Sequence, residues 1–111
     1  KKINLTTKCD IETISIEKAL PIGLILVELI SNSIKHAFKN RSIGIISVEI
    51  TRDKNTQANR LYYSDNGDGF NFNKTNLKGL GLEITKGLID QINGTTETRT
   101  NNGFELIINF K

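Results

Sequence analysis

The chain has 111 residues, a net charge of +3, 37% apolar residues, one cysteine and one histidine. That makes one domain, 1–111, able to bury roughly two-thirds of its unfolded surface, with Cys9 alone excluding an internal disulfide or a cysteine metal cluster. Apolar runs are too short to span a membrane, no signal-peptide pattern opens the chain, and no basic run interleaved with aromatics marks a nucleic-acid binder, so the reading is cytoplasmic with an affinity for anions.

In chain order, Lys2–Thr6 alternates and Ile11–Ile16 puts Ile14 and Ile16 on one side. Both read as strands, with Thr7–Asp10 turning between them. Ser15 is placed to cap a helix over residues 16–38, and Pro21 lies near its first turns, where proline is tolerated. At 100° per residue, Val27, Ile30, Ile34 and Phe38 share one broad face of that helix. Glu28, Asn32 and Lys35 form a stripe on another face, with His36 at its margin and Leu24, Ile25 and Leu29 alongside. This stripe is either the wet side of an amphipathic helix or a set of groups facing a ligand.

Asn40 falls near the helix end, and Ile45–Thr51 alternates with Ile46, Val48 and Ile50 on one face. Arg60–Ser64 reads as the return strand of a hairpin across the polar turn Asp53–Asn59. The run Leu80–Ile92 is helical in period, closed by Gly94, and Thr95–Thr100 with Phe104–Phe110 forms a last hairpin around Asn101-Asn102-Gly103. The order predicts an α+β, two-layer α/β sandwich: a mixed, mostly antiparallel sheet with helices on one face.

Two glycine-bearing stretches carry chemistry. Asp65-Asn66-Gly67-Asp68-Gly69 could be a hairpin turn or a partial calcium loop, although Thr75 stands where that loop wants a bidentate glutamate. It could equally be a strand-end carboxylate accepting from an exocyclic amine, with Gly67 and Gly69 admitting a flat ring. Gly79-Leu80-Gly81 opens a helix, a place suited to phosphate, but Gly-x-Gly by itself is a weak signal.

Taken in order, Glu28-Leu29-Ile30-Ser31-Asn32-Ser33-Ile34-Lys35-His36-Ala37, Asp65-x-Gly67-x-Gly69 and Gly79-Leu80-Gly81-Leu82 resemble the N, G1 and G2 boxes of the GHKL (Bergerat-fold) ATPase superfamily. The nearest resemblance is to the catalytic ATP-binding domain of two-component sensor histidine kinases, and it runs from about Ile3 to Phe110. It implies ATP and Mg²⁺ as ligands, with Asn32 helping to hold the metal and Glu28, Lys35 and His36 near the phosphates or the acceptor. Asp65 would read the adenine amino group, with Gly67 and Gly69 shaping the ring pocket. Lys78, Gly79, Leu80, Gly81 and Leu82 would cover the phosphates, and Phe70–Lys78 would be a short lid in which Lys74 is another candidate phosphate contact.

The resemblance also implies a phosphoacceptor domain upstream of Lys1, on this or a partner protomer, and a response regulator served indirectly. The fragment would then bind ATP without autophosphorylating alone, and the longer protein could be anchored in a membrane. Three departures stand out: Leu77 replaces a glycine of the G2 box, no separate F box is evident, and Phe104 replaces a threonine whose hydroxyl lies near the adenine-reading carboxylate. A protein serine kinase of the same fold, as in anti-sigma factors, and a degenerate module without nucleotide remain as alternatives.

Overall fold

The computed structural model describes residues 2–11, 13–38, 41–68, 82–99 and 103–111. Its elements run β1 (Lys2–Cys9), α1 (Ile16–Asn32), a π turn (Ser33–Ala37), β2 (Ile43–Arg52), β3 (Asn59–Asp65), α2 (Leu82–Gln91), β4 (Thr95–Arg99) and β5 (Phe104–Phe110). The five strands form one sheet in the order β1-β2-β3-β5-β4. The β1–β2 pair is parallel and the other three are antiparallel.

Strand alternation decides which face carries the core. Ile46, Val48, Leu61, Tyr63, Phe104, Leu106, Ile108 and Phe110 are buried at every second position, and the register places Ile46 beside Asp65, itself beside Phe104. Onto this one face α1 lays Ile22, Ile25 and Leu29, and α2 lays Ile89 with Ile92 just past its end, so both helices and the sheet share a single core. The two-layer α+β architecture expected from the element order is the one observed.

Several local expectations change. β1 is one strand through Cys9, and the segment after it is not a second strand: Asp10 N–H still donates to Ile50 O at 2.9 Å, then the chain leaves the sheet. A parallel partner needs a crossover, so the chain must move from the β1 edge to the helix layer before α1 starts. Ile14 packs against the core while Ile16 is exposed. Ser15 stands at the N-cap with extended backbone, but its carbonyl does the work, accepting from Lys18 and Ala19, and its hydroxyl makes no capping bond. Pro21 sits in the second turn and is buried.

The face that α1 turns to the sheet also differs from expectation. Val27 (61% exposed) and Ile34 (49%) point to solvent, whereas Ile25, Leu29 and Asn32, from the side of the polar stripe, are buried. Aliphatic residues ring this helix, so their period alone selects no face. The π turn that follows widens the last turn by a residue and brings Ala37 and Phe38 back into the core. At its start the Tyr63 hydroxyl donates to Leu29 O at 3.0 Å, a carbonyl that also accepts the Ser33 N–H.

At the far end of α2 the left-handed residue is Asn93 (φ 55°), not Gly94. Gly94 N–H donates to Ile89 O and Asn93 N–H to Asp90 O, the paired bonds of a Schellman ending. Gly94 also packs tightly: a Cβ there would lie 3.0 Å from the Ile89 side chain and 3.1 Å from that of Ile108.

Candidate functional site

The end of β3 meets the π turn of α1, and the contacts there are polar. Asp65 is the last residue of β3 and is 5% exposed. Strand alternation sends its side chain inward with Leu61 and Tyr63, so the carboxylate lies in the core layer rather than in water. It is compensated by three donors. Gly67 N–H reaches Oδ1 at 2.9 Å, closing an Asx turn, Phe104 N–H reaches the same oxygen at 3.4 Å, and the Ser33 hydroxyl donates to Oδ2 at 2.7 Å. Ser33 also shares a short hydrogen bond with the Tyr63 hydroxyl.

Each carboxylate oxygen offers two lone-pair positions. Oδ1 has both engaged and Oδ2 has one, so among the described residues Asp65 keeps a single open acceptor position. The hydroxyl expected to be missing because position 104 is phenylalanine is supplied from the helix by Ser33. Phe104 still contributes through its backbone, and its buried ring meets Tyr63 with centroids 6.4 Å apart and a 56° tilt.

The loop after Asp65 is tied down on both sides. Asn66 accepts from Ile45 N–H through Oδ1 at 2.7 Å and donates its own N–H to Ile45 O at 3.1 Å, which prolongs the β2–β3 ladder. Asp68 N–H donates to Ala37 O at 2.9 Å. Gly67 lies against the same turn of α1: a Cβ there would come within 2.4 Å of Ala37 O and 2.5 Å of Ala37 Cβ. Close approach of strand end to helix is by itself a reason for glycine at this position. The Arg41–Asp68 pair, 3.6 Å apart and nearly half exposed, adds little.

The rest of the stripe lies on either side of Ser33 in the chain. Asn32 is 6% exposed, and its Nδ2 has no hydrogen-bond partner among the described residues. An orphaned buried amide costs about 1–3 kcal/mol unless a ligand satisfies it. Glu28, one turn earlier, is half-buried, while Lys35 and His36 are exposed on the π turn. The structure thus brings Asn32, Ser33, Asp65 and Gly67 together at one end of the sheet and leaves Lys35 and His36 at its rim. Leu82 is the first residue of α2. Gly69, Lys78, Gly79, Leu80 and Gly81, with Lys74, Leu77 and the lid, lie outside the described residues.

Ser33 and Tyr63 are the site residues that sequence reading missed. A signal was present: Tyr63 shares the inward face of β3 with Asp65, and a buried tyrosine hydroxyl requires a partner. Burial is the main reason its phenol is held well above the ordinary value of 10.0, with the nearby Asp65 charge adding to the rise and the Ser33 hydrogen bond opposing it.

The family described as histidine kinase-, DNA gyrase B- and HSP90-like ATPase matches residues 17–111. The chain belongs to this family. No curated protein matches the sequence. Among solved structures, the histidine kinase domain of the blue-light activated kinase EL346 from Erythrobacter litoralis is similar with a TM-score of 0.84 at 23% identity, covering 97% of this chain and 54% of that one. The catalytic domain of histidine kinase ThkA, in a nucleotide-free form, gives a TM-score of 0.72 at 22% identity over 97% of this chain and 77% of its own. Histidine kinase AdeS of Acinetobacter baumannii gives 0.66 at 22% identity over 96% and 54%. The chain therefore spans about half the length of the EL346 kinase domain, and at these identities the likeness concerns the fold.

Proposed function

We propose that this chain is a histidine kinase catalytic domain that binds Mg-ATP and delivers the γ-phosphoryl group to a histidine on a separate dimerisation domain. The observation that carries this reading is unfilled hydrogen-bond capacity at two buried polar side chains held by the same turn of structure. The Asn32 amide has an orphaned end, and Asp65 has one open acceptor position. Asp65 is a pure acceptor and suits the donor amine of adenine. Its three fixed donors hold it in place and spare it reorganisation on binding.

Asn32 fits a metal–phosphate role because either end of its amide can be presented by rotation about the last side-chain bond. Its oxygen is a hard neutral ligand that leaves the remaining Mg²⁺ positions to phosphates and water. The ion, when bound, would neutralise charge on the triphosphate. Lys35 and His36, exposed beside it, supply positive charge and donors toward phosphate. Glu28, half-buried one turn back, holds a carboxylate near the reacting end, where it can orient or polarise the acceptor. A helix N-terminus suits an anion, so the start of α2 would face the phosphates that Lys78, Gly79, Leu80, Gly81 and Leu82 would cover, with Gly69 bounding the ring pocket. Phosphoryl transfer relies on positioning and charge neutralisation, so this site requires no nucleophile of its own. His36 belongs to the ATP site in this scheme. The phosphoacceptor histidine lies on another segment, a response regulator takes the phosphoryl group from it, and the domain works in the cytoplasm.

The test is calorimetric titration with ADP of the wild type and of Asp65→Asn. Loss of a charge-assisted hydrogen bond worth about 1.5–3 kcal/mol predicts an affinity lower by about ten- to a hundredfold. Equal affinity in the two proteins would remove Asp65 from the nucleotide site.

A further inference from the structure

We infer that Ser33 and Tyr63 are positioning residues that give the site its selectivity for a 6-amino over a 6-oxo purine; the inference rests on the reading of Asp65 as the adenine-facing group. Both side chains are 1% exposed and bonded to the Asp65 cluster, so their effect passes through Asp65.

The hydroxyl protons can be counted. Three contacts link the group: Tyr63 to Leu29 O at 3.0 Å, Ser33 to Tyr63, and Ser33 to Asp65 Oδ2 at 2.7 Å. Two hydroxyl protons serve them. The carboxylate is the strongest acceptor present, so the Ser33 proton lies on Oδ2, and the Tyr63 proton is shared between Leu29 O and Ser33 Oγ. Neither hydroxyl has a proton left for a ligand.

Meanwhile Gly67 and Phe104 N–H groups hold Oδ1. The carboxylate is therefore pinned from both sides and presents one acceptor position and no donor. A 6-amino group can donate to that position. A 6-oxo group would bring its own lone pairs against it, and neither the Ser33 nor the Tyr63 hydroxyl has a proton to turn toward the oxygen. Sites that pair a buried polar group with one substrate atom reject the analogue that cannot complete the pair. Without the Ser33 hydroxyl, Oδ2 regains a second open position, a water can bridge to either purine, and the selectivity falls.

The experiment is titration of wild type, Ser33→Ala and Tyr63→Phe with ADP and with inosine diphosphate, each variant checked for folding by thermal unfolding. Wild type should prefer ADP by about a hundredfold or more. Ser33→Ala should lose about tenfold of that preference, mainly through weaker ADP binding, and Tyr63→Phe should lose less because Ser33 can still donate to Asp65. A merely structural role would weaken both nucleotides alike and leave their ratio at the wild-type value, which overturns the inference. Should Ser33→Ala not fold, an unchanged ratio in Tyr63→Phe overturns it equally. Wild type that binds neither nucleotide would instead refute the underlying ATP-site reading, and wild type that binds both alike would refute both.

Discussion

Asn32 and Tyr63 are buried polar residues with opposite obligations. Tyr63 is fully engaged by Leu29 and Ser33, whereas Asn32 carries an amide end that nothing among the described residues satisfies. Asn32→Ala should therefore leave thermal stability within about 1 kcal/mol of wild type while lowering Mg²⁺-dependent affinity for an ATP analogue at least tenfold. Unfolding of this variant would show the residue to be structural. For Tyr63 the sign of the pH effect follows from its raised phenol. Below pH 10 the folded and unfolded chains both keep the proton; above it only the unfolded chain releases it. Stability is then lost as pH rises, by up to about 1.4 kcal/mol per pH unit. Tyr62 is also shifted upward, through its own burial first, so the contribution of Tyr63 is isolated by comparing alkaline denaturation of wild type with Tyr63→Phe. A shallower alkaline limb in the variant is expected, and identical limbs would contradict the assignment.

At the scale of elements, three glycines divide by what surrounds them. Gly67 packs on Ala37, and Gly103 (φ +114°) puts its missing Cβ 2.1 Å from Asp65 O, so Ala at either position must push the β3 end away from α1 or β5. Each substitution should cost about 2 kcal/mol or more in denaturant unfolding. Gly23, exposed on α1 with nothing within 4 Å, should behave oppositely, and Gly23→Ala should stabilise by about 0.5–1 kcal/mol. Wild-type stability in Gly67→Ala would mean that the strand end and helix do not meet closely. Much of this layer was legible: the hairpins, both helices and the inward faces of β2 and β5 follow from alternation and turn residues. The sheet-facing side of α1 was not, because Ile16, Leu20, Leu24, Val27 and Ile34 continue the apolar pattern around to the solvent side. The π turn was equally hidden, and the tyrosine hydroxyl at its start comes from a strand thirty-four residues later.

For the molecule as a whole, the order of the polar stretches along the chain matters more to the candidate site than helical period does. Asn32, Asp65 and Gly67 converge because α1 ends where β3 ends, a consequence of the mixed sheet carrying both helices on one face. What the order of residues could not show was the packing of Gly67 against the helix, or the Ser33 hydroxyl that takes the place of a side-chain donor at position 104. Both depend on contacts between elements distant in sequence. Calorimetric titration of the wild-type chain with a non-hydrolysable ATP analogue, with and without Mg²⁺, tests whether this convergence is a Mg-ATP site. Binding that requires Mg²⁺ for the triphosphate is the result predicted. A folded chain that binds no adenine nucleotide under either condition would contradict it.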